Sequence, residues 1–505
     1  KFFSALKDSP LKLYTTKHEG TAGLMASAEA KLNDKLAVCT AHSGPGTANI
    51  LNGIADASSD RVPLLLITGQ VPSYNMGTDY KQFVKQQQLA DPLTVYSGLL
   101  TEPETVIDLL YKAMTKAITS GGVSHLVIPM DMWDKTTNAQ PRQFPEHLNT
   151  KEKPEDDILN NAAGKINDSK QPVILYGRGA KGGQKELKQL SEKINGPLIN
   201  TLPAAGMVEF NNPYSLGGLG HAGNQKASEI LNQSDLIIII GATWWPMDYT
   251  PRQPEIVQLD AARENIGATH PVDIGIVGEI KQSLNSLIEK VNSKDNADWK
   301  QQIEQARSSW FENMDNKTEA KDTSPLNPEN VIKTISENIE QDEIIALDSG
   351  DNVVWFAKYF GNTCDDILLS GTWRTMGFSV PAALSAKINH PEQPVTAITG
   401  DGGLEMVLGE LLTAKRYDLP VRIVIMKNGT LAMEKNRMKT ADLALEEVDL
   451  TNPDFVKLAQ ACGLDACRTE TTEDLEKTMT DFSLLSHTLV VEVPKAETMP
   501  PGTKL

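Results

Sequence analysis

Thr396-Ala397-Ile398-Thr399-Gly400-Asp401-Gly402-Gly403 opens the most informative part of this chain, and Val421-Arg422-Ile423-Val424-Ile425-Met426-Lys427-Asn428-Gly429-Thr430 closes it. Each segment begins as an apolar run that predicts a strand, and the residues from about Leu404 to Arg416 between them predict a helix. Strands that read as nearly unbroken apolar runs are those buried on both faces of a parallel sheet. A divalent cation carrying a diphosphate needs hard oxygen ligands in octahedral array together with backbone N–H groups that approach closely. Asp401 and Asn428, 27 positions apart at the ends of the two expected strands, each offer one oxygen. Gly400, Gly402 and Gly403 at the start of a helix permit the approach, since they lack Cβ. Gly-Asp-Gly or Asn-Gly taken singly is an ordinary turn sequence. Their order and separation are what point to a metal diphosphate.

The same rhythm extends in both directions. Ile344 to Leu347 and Thr488 to Val493 predict further strands of this third segment. From Leu11 to Pro145, predicted strands at Leu36 to Cys39, Pro63 to Thr68 and Ser124 to Pro129 alternate with helices at Gly20 to Leu32 and Glu104 to Thr119. A stretch from Gln140 to Pro154, rich in Pro, Gln, Lys and Glu, then reads as a linker. In the middle, Pro172 to Tyr176 leads into Gly177, Leu236 to Ile240 into Gly241 and Ile256 to Leu259 into Asp260, each turn falling where open α/β sheets bind ligands. The expected architecture is α/β, with three doubly wound parallel-sheet domains at residues 1–145, 158–290 and 325–505.

With 48 Lys and Arg against 66 Asp and Glu, a formal charge of -18, the surface as a whole repels nucleic acid and anionic membrane. The four cysteines show neither metal-ligand spacing nor the density of a disulfide scaffold, which predicts a reduced, cytoplasmic setting. No apolar stretch reaches the length of a membrane span. The chain opens at Lys1 in a helical pattern, so an upstream segment is expected.

Gly-Asp-Gly followed after this interval by an Asn resembles the signature of thiamine diphosphate (ThDP)-dependent enzymes, in which the second position of an Asn-Asn pair binds the metal. The resemblance implies a Mg2+ site at Asp401, Asn428 and the main-chain carbonyl of Thr430, with Lys427 standing where the family has the first Asn. His18-Glu19 and the helix after it, then Ser43-Gly44-Pro45-Gly46 and Asn52-Gly53-Ile54-Ala55-Asp56-Ala57, are similar to the pyrimidine-binding domain of pyruvate oxidases and acetolactate synthases. By that resemblance Glu19 is the glutamate that activates the cofactor, Gly44 and Asn49 lie against it, and Met376 is the bulky side chain beneath it. Glu19 read from the residues alone is equally an acidic residue at a helix start, and Met376 core filling.

The carboxyl half, including Asn452 to Gly463 and the ending Pro500 to Leu505, resembles pyruvate oxidases in particular. This implies oxidative decarboxylation of pyruvate with electrons passed to FAD and then to quinone or oxygen, and a homodimer or homotetramer, since in the family two chains share each cofactor. It also leaves open a peripheral membrane role through a tail beyond the present end. The expected FAD turns carry Gly177, Gly179, Gly220, His221, Gly223, Gly241, Thr243 and Asp260, and the expected substrate contacts are Gln70 and Met433. Two departures stand out: Arg437 replaces an acidic residue, and Tyr80-Lys81-Gln82-Phe83 replaces Ala-Phe-Gln-Glu. Acetolactate synthase-type carboligation and non-oxidative decarboxylation are the alternative chemistries, and an inactive cofactor-binding regulatory subunit is the alternative of another class.

Overall fold

The computed structural model describes the chain except residues 1, 8, 145–147, 149–152, 221, 244–250, 252–253, 319–324, 365, 482–487 and 496–505. His221, part of the expected linker and the ending Pro500 to Leu505 therefore lie outside the described residues.

Three all-parallel sheets follow one another along the chain. The first has four strands, β1 (Ala37–Ala41), β2 (Leu64–Gln70), β3 (Tyr96–Leu99) and β4 (Val123–Pro129), in the order β1-β2-β4-β3. The second comprises β5 (Pro172–Tyr176), β6 (Leu198–Asn200), β7 (Ser215–Gly218), β8 (Leu236–Ile240), β9 (Glu255–Asp260) and β10 (Ile274–Val277) in the order β10-β9-β8-β5-β6-β7. Read from its middle, that is the strand order of a dinucleotide-binding doubly wound sheet, whose direction reverses between β5 and β8. The third comprises β11 (Ile344–Leu347), β12 (Asp366–Leu368), β13 (Val395–Gly400), β14 (Arg422–Lys427), β15 (Asp465–Arg468) and β16 (Leu489–Pro494) in the order β12-β11-β13-β14-β16-β15, reversing between β11 and β13.

Residue alternation divides the third sheet's side chains between two cores. Ile344, Ala346, Ala397, Ile423, Ile425 and Val490 point to one, and Ile345, Leu347, Ile398, Val424, Met426 and Val491 to the other. The expected helix after β13 starts three residues early and is broken. Asp401–Glu405 is one helical turn, Leu408–Glu410 is a 3-10 turn, and a second helix runs Leu411–Arg416. Gly400 is thus the N-cap and Asp401 the first helical residue.

Helix Glu19–Asn33 is apolar or small nearly all round, so it has no solvent face to spare. Ala26 and Ala30 belong to the core of the first sheet, while Leu24, Met25, Ala28 and Leu32 lie in the core of the third together with Phe378 and Leu384. Its neighbour, Pro45–Ser59, begins at Pro45, whose fixed φ suits a first helical turn. The two helices touch backbone to backbone: a Cβ on Gly53 would lie 2.4 Å from the Gly23 carbonyl carbon. Neither chain can move aside without opening a core. Gly53→Ala is expected to cost about 1–3 kcal/mol through overpacking, read as a lowered thermal midpoint, whereas Gly429→Ala, with nothing within 4 Å of the added carbon but a φ of +69°, should cost less.

Candidate functional site

Asp401 sits at the carboxyl end of β13, and Asn428 at the end of the adjacent β14. Both strands are held in parallel register, Gly400 opposite Met426, so both residues come to the same carboxyl edge of the sheet. Asp401 is buried. Its Oδ2 accepts from Asn428 N at 3.2 Å, Gly429 N at 2.6 Å and Asn452 Nδ2 at 2.7 Å, and its Oδ1 from Gly402 N at 3.1 Å. The positive φ of Gly429, +69°, turns the chain so that two successive amides reach one oxygen. Asn428 Oδ1 in turn accepts from Thr430 N at 3.3 Å, which closes the loop on itself. Thr430 Oγ1 is held by Val448 O at 2.8 Å.

These residues fit a hydrated Mg2+. Among the described residues no group of three or more His, Cys, Asp and Glu side chains forms a metal cluster. A set of one carboxylate, one amide oxygen and one carbonyl leaves the remaining octahedral positions to phosphate oxygens and water, the usual manner of Mg2+. Next to Asp401, Asn452 Oδ1 is buried without a protein donor, an acceptor that the waters of such an ion can satisfy. Burial, and then the charge of Asp401, raises the Glu405 carboxyl above its ordinary range, so the crevice edge favours positive charge.

The crevice floor explains the glycines. A Cβ on Gly403 would lie 2.9 Å from Asp348 Cγ and Thr399 Oγ1, and one on Gly402 would lie 3.2 Å from Met376 Cε. Met376 thus lies over Gly402. Asp348, which closes the switch point at the end of β11, is fully buried, and burial raises its pKa against hydrogen bonds from Ser379 Oγ at 2.8 Å and Gly377 N at 2.8 Å.

Glu19 begins its helix behind the N-cap His18, whose Nδ1 accepts from Gly20 N at 3.0 Å. Its Oε2 accepts from Asn49 Nδ2 at 3.0 Å, and that bond, ahead of the other influences, holds the carboxyl below its ordinary pKa. Gly44, at φ +66°, lies under the Tyr80–Phe83 turn, where an added Cβ would meet Gln82 O at 2.7 Å. Gln70 is spoken for by the fold, since Nε2 donates to Val84 O at 2.9 Å and Oε1 accepts from Val71 N at 2.9 Å.

A cavity of about 1050 Å³ opens at the switch point of the middle sheet. Gly177, Gly179, Gly241, Asp260, Asn200 and Thr201 line it, and it reaches Arg374, Met433, Asn436 and Arg437 of the third domain. Gly179 N donates to Gly241 O at 2.9 Å, so the loops after β5 and β8 touch through backbone alone. Gly220 is not on the wall but lies between its members Leu219 and Ala222. Asp260, raised by burial, accepts through Oδ1 from Ala262 N at 2.9 Å and Asn265 Nδ2 at 2.8 Å.

Sequence reasoning missed Asn452, Asp348 and Glu410. Asn452 had a usable signal, an Asn-Pro step before a helix start, but its partner lies 51 positions away. Glu410 is buried in the third domain and accepts from Lys17 N at 3.1 Å and His18 N at 3.3 Å, pinning the segment that leads into Glu19. No local pattern announces that contact.

Asp401→Ala removes the shared acceptor of four donors and should abolish Mg2+-dependent ThDP binding in calorimetric titration, at a cost to the fold of about 1–3 kcal/mol from the donors left unpaired. Asn49→Ala should let the Glu19 carboxyl rise toward its ordinary value, so that the ionised form is lost at higher pH than in the parent. The acid limb of a turnover-against-pH profile then moves to higher pH.

Three family models match the chain in order. The thiamine pyrophosphate enzyme N-terminal TPP binding domain matches residues 1–91, the central domain residues 159–287 and the C-terminal TPP binding domain residues 348–493. The Bacillus subtilis protein YdaP is 32% identical over 485 residues, covering 96% of this chain and 84% of its own length. The acetolactate synthase of Mycobacterium leprae is 30% identical over 490 residues, with 92% and 77% covered. The pyruvate oxidase of Lactiplantibacillus plantarum is 27% identical over 467 residues, with 91% and 77% covered. Glu19, Met376, Asp401 and Asn428 fall within the matched domains, on three α/β sheets arranged as described, and the chain belongs to the ThDP-dependent enzyme family.

Proposed function

We propose that the chain oxidatively decarboxylates a small 2-oxo acid, pyruvate in the first instance, and passes the electrons to FAD and then to quinone or oxygen. The observation that carries the reading is the cavity at the switch point of the middle sheet, which runs without a partition to Met433 and Asn436 of the ThDP-binding half. Its volume of about 1050 Å³ suits a ligand of dinucleotide size, and Gly177, Gly179 and Gly241 on its wall let the loops after β5 and β8 close on one another at the strand ends where a dinucleotide would lie. Asp260 and Asn200, at the ends of β9 and β6, are acceptors suited to ribose hydroxyls.

When bound, ThDP supplies the electron sink for loss of carbon dioxide and FAD a two-electron acceptor. The chain's own work is to hold and to shield. Asp401, Asn428 and the Thr430 carbonyl would hold the ion, the helix start at Gly402 and Gly403 would face the diphosphate, and Met376, against Gly402, would stand beneath the cofactor. Glu19, fixed through Oε2 by Asn49, has Oε1 left to hold a proton on the cofactor's ring. A second copy of the chain would complete each site, so a dimer or tetramer is part of the reading.

A second reading is carboligation of the acetolactate synthase type, favoured by relatives of that name that are 30% identical over 490 residues. The reading as an inactive subunit loses one support. Lys427, the departure beside Asn428, turns away to an ion pair with Glu492 at 3.0 Å and leaves the metal edge unaltered. Arg437 pairs with Glu434 at 2.9 Å at the cavity wall.

Anaerobic mixing of the purified protein with pyruvate, ThDP and Mg2+, followed at the absorbance of bound flavin, tests the proposal. Bleaching that requires all three components is expected. Flavin that stays oxidised while acetolactate accumulates would transfer the assignment to the carboligase, and a protein that binds no flavin would remove the oxidase reading altogether.

A further inference from the structure

Residues 369–379 form a strap that joins β12 to the helix Ser379–Asn389 and carries Met376. The strap belongs to the third domain, yet five hydrogen bonds tie it to the first. Lys31 Nζ donates to Leu369 O at 3.0 Å. Asp60, at the carboxyl end of helix Pro45–Ser59, receives Gly371 N on Oδ2 at 2.9 Å and Thr372 N on Oδ1 at 2.8 Å. Asn52 on the same helix takes Trp373 Nε1 on its Oδ1 at 2.9 Å and gives its Nδ2 to Thr375 Oγ1 at 3.0 Å.

Beneath these contacts lies an ion cluster. Lys31, almost wholly buried, stands 2.7 Å from Asp60 Oδ2 and 2.6 Å from Asp56 Oδ2, with its ammonium 4.6 Å from the centre of the Phe378 ring. Charge-assisted bonds of this kind in a protected place are short and directional. Gly371 is required by the same closeness, since a Cβ there would lie 2.9 Å from Asp60 Oδ1. From the other side Asp348 holds the strap's end through Gly377 N and Ser379. Between the two anchors Arg374 takes a φ of +56°, a conformation that a non-glycine side chain adopts at a cost. The strap is therefore held at both ends and stressed in the middle, with Met376 two residues beyond that point and against Gly402.

We propose that Asp60, acting with Lys31 and Asn52, is a positioning residue of the cofactor site: by fixing the strap to the first domain it sets where Met376 stands over Gly402. Docking of the first domain onto the third thereby prepares the third domain's diphosphate crevice. The proposal rests on membership of the ThDP-dependent family and not on the oxidase reading.

A double-mutant cycle on ThDP affinity separates positioning from mere support. In saturating Mg2+, Asp60→Ala in the otherwise intact protein is expected to weaken ThDP binding on the order of tenfold, as loss of charge-assisted bonds to the strap implies. In a Met376→Ala background the same change should weaken it less than about twofold, because the side chain being positioned is gone. Equal losses in the two backgrounds would show that Asp60 acts on the fold generally, and an unchanged affinity in Asp60→Ala would show that the strap needs no such anchor; either overturns the proposal. Asn52→Ala, which leaves the buried charges in place, supplies the same cycle if Asp60→Ala fails to fold. A smaller loss that vanishes in the Met376→Ala background supports the assignment, and one that persists there refutes it.

Discussion

A single helix with no polar face, Glu19–Asn33, is the constraint on which this structure turns. Burying Leu24, Met25, Ala28 and Leu32 in the third domain's core and Ala26 and Ala30 in the first domain's core uses both sides of one element. An element so used can neither slide nor rotate without exposing apolar surface, at about 25 cal/mol for each Å² returned to water. The first and third domains are joined by a shared core, where a linker alone would leave them free. Polar contacts then refine the fit. Glu410 fixes the backbone before Glu19, and Ser385 Oγ donates to Met25 O at 2.8 Å within the packed pair of helices.

The joint explains why chemistry gathers at its edges. Each doubly wound sheet offers one crevice where its strand order reverses, and the crevice lies at the carboxyl ends of the strands. In the middle domain it is left open and lined with glycine. In the third domain Asp348 plugs it, and the candidate ligand edge lies one strand along, at Asp401 and Asn428. That displacement lets one carboxylate, Asp348, organise the loop carrying Met376 while another, Asp401, gathers the amides of the Asn428 turn. Two buried acids at neighbouring strand ends do different work because their donors differ: hydroxyl and amide groups of the strap surround the first, and turn amides of the Asn428 loop surround the second.

How much of this was legible in the sequence depends on the distance over which a signal acts. Strands read as apolar runs, such as Leu236–Ile240 and Ile344–Leu347, appear where their composition puts them, because burial on both faces leaves no polar alternation to misread. Composition predicts the helix after Asp401 only from about Leu404, since successive glycines are poor helix formers; the chain enters it at Asp401, whose Oδ1 accepts from Gly402 N. Glu19 and Asn49 both stand out in the sequence, but the bond between them spans 30 positions and only the fold displays it. Asn452, Glu410 and Asp60 were out of reach for the same reason, as acceptors and donors whose partners lie 51, 393 and 311 positions away. Gln70 shows the converse, a polar residue at a promising strand end whose amide also ties down the neighbouring loop at Val84.

Lys427 shows why a departure next to a functional residue need not reach it. Lys427 is the last residue of β14 and shares the strand face of Ile423 and Ile425, whereas Asn428 lies just past the strand, in the turn to Gly429. Asn428 gives its backbone N–H to Asp401 Oδ2. Lys427 runs over the Phe455 ring to Glu492 on β16, whose Oε1 also accepts from Arg468 Nε at 3.1 Å. Glu492 is buried, and a buried carboxylate stripped of its cations would carry a large desolvation cost, so a base at position 427 answers a need of the sheet. The end of the strand separates the two demands: Lys427 serves the sheet through Glu492, and Asn428 begins the turn that is bound to Asp401.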